Sequence, residues 1–387
     1  GGDWSLKWLG VIGAGHLHHT LGAQFRYDDI SAVGLFRTRE RERLGVTRLD
    51  RVDQTSIGAY YELEWRISDD WRSVIGLRGD YYWFDVASDR PENSGSASDG
   101  IISPKASLIH SFNDETEFYL SGGFGFHSND ARGTTISVDP VSGETVEPVD
   151  ALVQSSGAEM GFRTIWLDSW NTSLVVWYLS LDSELLFVGD AGNTEASGAS
   201  RRWGVEFNNL WALSDIWTIE ADLAWTDARF TDAPPAEDDI PGALQTVVTG
   251  AVNATWPSGW FGSLRLRYFG PAPLIEDGSV ESDGSSMANL LAGWSNDRWR
   301  VQLEVLNLFD SDDHDIDYYY TSRLPGEPLE GVDDIHYHIF EPRQVRLRAS
   351  WLFCESALKG TCRFWLRRAP SVTDRVDLDL LVEPDRS

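Results

Sequence analysis

The chain has 387 residues and a formal net charge of -29, with Lys+Arg 32 against Asp+Glu 61. So acidic a chain makes a poor nucleic-acid partner, because neutralising phosphates takes Lys and Arg. No apolar run reaches the roughly 18 residues of a transmembrane helix, but a strand that carries its apolar face on every second residue escapes that test.

The chain opens at Gly1-Gly2 with neither an initiator Met nor a signal-peptide pattern, so a removed leader or a piece of a longer protein is expected. Residues 3–9, "DWSLKWL", read as one strand, and another begins at His16. "HLHH" puts His16 and His18 on one strand face, but a zinc or nickel site needs further ligands and none is near in sequence. "SIGAYYELEWRIS" then sets Ile57, Ala59, Tyr61, Leu63, Trp65 and Ile67 against Ser56, Gly58, Tyr60, Glu62, Glu64 and Arg66. In "FYLSGGFGFHSNDARG", Phe118, Leu120, Phe124 and Phe126 share the apolar face, and a polar burst follows His127. Trp217, Ile219, Ala221, Leu223 and Trp225 repeat the pattern, as do Trp299, Val301, Leu303 and Val305, and Val345, Leu347, Ala349, Trp351 and Phe353. This is period-2 alternation over about ten residues, the length of a tilted membrane-spanning strand. Trp and Tyr gather at strand ends, as in the interfacial girdles of outer-membrane barrels.

Connections alternate in length. Short polar turns are read at 68–71, 113–116, 168–171, 213–216, 256–259 and 295–298. Longer loops are read at 30–53, 87–100, 128–152, 188–199, 231–241, 271–284 and 310–337. The predicted fold is all-β, an antiparallel transmembrane β-barrel with short periplasmic turns and long extracellular loops. A soluble propeller or solenoid would show a repeat of about 40–50 residues, and none is found. Two cysteines, Cys354 and Cys362, leave the first 353 residues thiol-free, which suits an extracytoplasmic protein.

Several phrases occur in an order that resembles one family. They are "SPKASLIHSFNDETEFYLSGGFGFHSNDARG", "GAEMGFRT", "GVEFNNLW", "LNLFDSD" and "EPRQVRLRASWLF". Together they resemble the C-terminal part of the β-barrel of TonB-dependent outer-membrane receptors, over residues 16–353. The resemblance implies a 22-stranded barrel around a plug. By that count residues 1–353 supply about fifteen C-terminal strands, an open C-shaped fragment with plug and TonB box lying outside it. Residues 354–387 are expected to form a poorly ordered tail, with a Cys354–Cys362 disulfide left open. The implied function is TonB-energised uptake of a scarce nutrient, a ferric siderophore by default, in the outer membrane of a Gram-negative cell. The implied partners are outer-membrane lipid, TonB through the N-terminal region, the ligand and the barrel-assembly machinery. No nucleic acid and no cofactor are expected. A passive porin-like channel is the alternative.

Candidate ligand-contacting residues lie in two loops: His127, Asn129, Asp130 and Arg132 in the first, and His314, Asp317, Tyr318, Arg323 and His336 in the second. The second loop, 310–337, holds nine acidic residues against one basic, Arg323. Clustered carboxylates with His suit a metal ion, calcium first, but the fixed spacing of a metal site is missing, and no metal is assigned. Arg265, Arg267, Arg346 and Arg348 are read as lumen-facing, able to steer an anionic ligand or to pair with Glu62, Glu64, Glu220 and Glu304. The sequence has no G-x-S-x-G, H-E-x-x-H or phosphate loop, so no enzyme is expected.

Overall fold

A computed structural model describes residues 1–13, 15–188, 193–353, 364–370 and 376–382. Helix is nearly absent. The first strands are β1 (Gly2–Ile12), β2 (Gly15–Arg39), β3 (Glu42–Arg66), β4 (Trp71–Ser88), β5 (Gly95–Ser111), β6 (Thr116–Ser128), β7 (Leu152–Trp166) and β8 (Trp170–Leu181). A short hairpin, β9 (Glu184–Val188) and β10 (Asn193–Ser197), precedes β11 (Ser200–Ala212), β12 (Trp217–Phe230), β13 (Thr246–Thr255), β14 (Trp260–Phe269), β15 (Ser285–Ser295) and β16 (Trp299–Leu306). A second hairpin, β17 (His314–Ser322) and β18 (Val332–Ile339), leads to β19 (Gln344–Phe353). Fifteen strands, all but the two hairpins, form one antiparallel sheet in which each bonds to the next. The sheet is not closed, since β1 and β19 do not pair.

Past Phe353, backbone strands β20 (Phe364–Pro370) and β21 (Val376–Val382) pair with each other, and β20 joins β19 at Leu352 and Phe353. Both cysteines, and with them the disulfide question, lie outside the described residues.

By contact density the chain divides into two units. The first contains residues 1–163, 175–204 and 227–239, and the second 164–174, 205–226 and 240–387. Within each, register keeps like faces together. In the second unit Ile219, Val252, Leu264, Leu290, Val305 and Val345 lie directly opposite one another across six strands. One residue over, Thr218, Asn253, Ser263, Leu291, Glu304 and Arg346 form the neighbouring row on the other face. In the first unit the equivalent polar row runs Lys7, Thr20, Glu62, Gly76, Lys105 and Gly123. A slip of one residue would exchange the faces, so the alternation itself specifies the register. The apolar face is bare: Leu120 is 51% and Leu266 52% exposed. At its margin rings stack in pairs, Trp299 on Trp351 at 5.3 Å and Trp71 on His110 at 4.3 Å.

The short turns fall where the sequence places them. Two loops do not. Residues 30–53, expected to be loop, continue β2 and β3 as a hairpin of 25-residue strands. Its tip is Glu40-Arg41, both with positive φ (51° and 71°), the backbone of a two-residue hairpin turn built from residues that give no turn signal. The loop read at 87–100 is shorter, because β5 already starts at Gly95. Phe126, expected on the apolar face, packs edge-on against Tyr82 at 5.9 Å, a residue of the polar face.

That tip generates a test. Left-handed backbone costs an ordinary residue about 1–2 kcal/mol. Glu40→Asn with Arg41→Gly should therefore slow hydrogen exchange of the amides in 36–45 several-fold. Unchanged or faster exchange would mean that the two strands do not turn there.

Candidate functional site

The polar face of the first unit is a wall of paired charges. Lys105 Nζ reaches Glu62 at 2.7 Å, two strands away, and Arg78 forms two hydrogen bonds with Asp80, at 2.6 and 2.7 Å. Gly76 sits between Glu62 and Lys105 in the register, and a Cβ there would lie 2.6 Å from Lys105 Cε. Glycine thus clears the path along which the lysine lies flat. Glu62, Gly76, Arg78 and Lys105, with Gln24, Tyr60, Ser103 and Phe126, line a depression of about 450 Å³.

The second unit has its own wall. Arg300 donates to Gln302 at 3.1 Å, Gln302 to Glu304 at 2.7 Å, and Arg348 pairs with Glu304 at 3.3 Å. Arg346 donates to Gln344 at 2.6 Å. Arg267 lies over the rings of Phe269 and Phe340. Arg265 has no acidic partner among the described residues and opens onto a depression of about 280 Å³ with Glu220 and Asn289. The four arginines read from sequence as lumen-facing therefore share one face. Of the acidic partners expected for them only Glu304 is engaged, by Arg348. Glu220 accepts from Asn253 at 2.9 Å and Glu62 has Lys105.

The first candidate loop uses its polar residues on itself. Asn129 donates from Nδ2 to the Asp150 carbonyl at 2.7 Å and from its amide to the Ala151 carbonyl at 3.0 Å. Asp130 caps a single helical turn (Ala131–Thr134), accepting from the Arg132 amide at 2.9 Å and from the Arg132 guanidinium at 2.7 Å. Partial burial alone would raise the Asp130 carboxyl, but the Arg132 hydrogen bonds and charge hold it below the usual carboxylate range. His127 Nε2 is buried and has no hydrogen-bond partner among the described residues.

The second candidate loop is the hairpin β17–β18. His314 stacks on Tyr337 at 3.7 Å and bonds Asp317 at 2.6 Å. His336 lies opposite Tyr318, stacks on Tyr320 at 3.8 Å and bonds Ser322 at 2.7 Å. Arg323 donates to the Glu327 carbonyl at 3.2 Å. Among the described residues no cluster of His, Cys, Asp and Glu has the form of a metal site.

The base of this hairpin joins two sequence phrases. Asn307, 2% exposed and with φ 48°, donates to the carbonyls of Ser311 (2.8 Å) and Glu341 (3.1 Å) and accepts from the Ser311 amide. Asp310, with φ 57°, accepts from the Arg343 amide at 2.8 Å and pairs with the Arg343 guanidinium at 3.1 Å. "NLFD" and "EPR" are the two jaws of one clamp.

Sequence comparison decides the family. The family described as TonB dependent receptor-like, beta-barrel, matches over residues 1–308. The chain belongs to this TonB-dependent receptor-like β-barrel family. Solved structures of similar fold include the ferric-catecholate import receptor Fiu of E. coli K12 in its closed form. It matches with a TM-score of 0.69 at 15% identity, over 90% of this chain and 53% of that one. The ferric yersiniabactin uptake receptor FyuA of Yersinia pestis gives 0.67 at 15% identity, over 90% and 52%. The copper transporter OprC gives 0.64 at 15%, over 90% and 55%. The chain spans about half the length of these receptors. At such identities the likeness establishes the receptor fold and leaves the cargo open.

Several residues of the walls were not singled out from the sequence, among them Arg78, Asp80 and Lys105. The only early signal was their place on the polar side of an alternating strand. The clamp yields a pH test. The Arg343 amide, and secondarily its charge, hold the Asp310 carboxyl below its ordinary value. A depressed carboxylate contributes stability above its unfolded pKa and loses it as pH falls through the folded one. Hydrogen exchange at the Arg343 amide should therefore accelerate below about pH 4, beyond the intrinsic pH effect. Asp310→Asn should remove that extra dependence; an identical profile in the variant would exclude the carboxylate as its source.

Proposed function

We propose that this chain forms part of the wall of an outer-membrane receptor that imports a scarce nutrient, with a ferric siderophore as first candidate and energy delivered through TonB. The observation that supports it most is the pair of adjacent rows in the second unit, six apolar residues across six strands beside a row that is polar but for Leu291 and ends in Glu304 and Arg346. A sheet with one bare apolar face and one charged face suits lipid on one side and a wet lumen on the other. Iron-complex receptors among the similar structures favour a siderophore, and the copper transporter keeps metal cargo of other kinds in view. The ligand-contacting part is assigned to the hairpin β17–β18, with His314, Asp317, Tyr318, Arg323 and His336. His127, Asn129, Asp130 and Arg132 shape their own loop. The role is transport and reception, not catalysis. Strand β19, ending at the aromatic Phe353, would present the assembly signal.

Orientation and cargo can be tested together in the intact protein. Leu329→Cys at the hairpin tip should label on whole cells with a membrane-impermeant thiol reagent, and Asp297→Cys in the opposite short turn should not. Loss of the protein should abolish growth on a ferric siderophore as sole iron source. The reverse labelling pattern would overturn the membrane topology. Unimpaired growth on every ferric complex tried would move the cargo away from iron.

A further inference from the structure

Residues 129–151 leave the sheet between β6 and β7 and fold against the polar face of β3 and β4. The contact is a small apolar cluster of Val52, Phe84, Val86, Ala131 and Ala151, with Tyr82 packed against it. Beyond that cluster two side chains, Asn93 and Arg90, hold the segment. Asn93, 1% exposed, donates from Nδ2 to the Val138 carbonyl at 2.8 Å. Its Oδ1 accepts from the amides of Ser137 at 3.0 Å and Val138 at 2.9 Å. The Thr135 hydroxyl donates to the Asn93 carbonyl at 2.9 Å, and Arg90 donates to the carbonyls of Asp139 (3.2 Å) and Pro140 (3.1 Å). The side chain and carbonyl of one asparagine thus engage three residues of the segment, Thr135, Ser137 and Val138.

The other end is built differently. Arg48 and Asp50 form an ion pair whose side chains are 8% and 0% exposed, and Arg48 Nη2 donates to the Arg132 carbonyl at 3.4 Å. Asp50 Oδ1, Asn129 Oδ1 and His127 Nε2 are buried with no hydrogen-bond partner among the described residues. Buried polar atoms without partners carry a desolvation penalty that water relieves when the site opens. A buried ion pair is likewise a weak source of stability. The far part of the segment is therefore held through an amide bonded at both its donor and its acceptor, while at the root the bonds of Asn129 to Asp150 and Ala151 sit beside three buried polar atoms without partners among the described residues.

We propose that residues 129–151 are a strap with a docked and an undocked state, latched by Asn93. Undocking uncovers a recess floored by Val52, Phe84 and Val86 and edged by the Arg48–Asp50 pair. The structure shows the docked state. The latch governs how often the recess opens, and this does not depend on which ligand the protein carries. Asn93 is a positioning residue in this scheme.

Hydrogen–deuterium exchange on the intact protein in detergent micelles tests it. In the wild type, the Ser137 and Val138 amides should be protected but exchange faster than the β3 and β4 amides beneath them. Asn93→Ala should accelerate exchange across 133–150 at least tenfold and leave β3 and β4 unchanged. Arg90→Ala should do the same to a smaller degree. If Asn93→Ala does not assemble, as judged by heat-modifiable migration, Asn93→Asp keeps the Oδ1 acceptor and replaces the Nδ2 donor with an oxygen that cannot bond the Val138 carbonyl, with the same expectation. Strap amides as slow as the strands in the wild type would overturn the proposal. So would variants that leave the strap unchanged or that loosen strap and strands alike.

Discussion

A β-strand shows successive side chains to opposite sides, and this one constraint organises the molecule. Fixing the register of one strand pair fixes the faces of both, and each later strand inherits the choice. Ile219 therefore meets Val252, Leu264, Leu290, Val305 and Val345, while Glu304 meets Arg346 one position away. The same rule explains why so acidic a chain can present a continuous apolar surface. Its charges sit on the other face, in the turns and in the loops.

The polar face is settled by local pairing more than by net charge. Lys105 crosses the gap left by Gly76 to reach Glu62, Arg78 folds back on Asp80, and Arg348 meets Glu304. Arg265 is left with no acidic partner among the described residues. This pairing leaves hydroxyls, amides and a few cations free on that face. At the loop ends the same economy holds. Asn307, Asp310 and Arg343 bind the two feet of the hairpin to each other. Hairpin β17–β18 can thus present its His and Tyr rings without pairing to the main sheet.

The strand faces were legible in the sequence because alternation over ten residues is a long signal, and Asp, Asn, Ser and Gly mark the short turns. The continuation of the β2–β3 hairpin across 30–53 was not, because Glu40-Arg41 turns the chain without Gly or Asn. Phe126 was assigned by parity, and its contact with Tyr82 places it with the polar face instead. The resemblance in "NLFD" and "EPR" was visible, but not its reason: two phrases about thirty residues apart meet through backbone carbonyls and one ion pair. That Asn129, Asp130 and Arg132 also bond within their own loop was not legible, because side chain–backbone bonds leave no pattern in sequence. Asn93, a lone amide after Pro91-Glu92, gave no sign that it holds a segment some 45 residues away.

The central claim is that one face of the sheet meets lipid and the other does not. Site-directed spin labelling along β12, one nitroxide at a time from Thr218 to Trp225 in the intact protein in liposomes, tests it most directly. Collision with oxygen, which partitions into the bilayer, should peak at 219, 221, 223 and 225, and collision with a water-soluble nickel complex at 218, 220, 222 and 224. A profile without period two, or one with the two reagents exchanged, would contradict the claim.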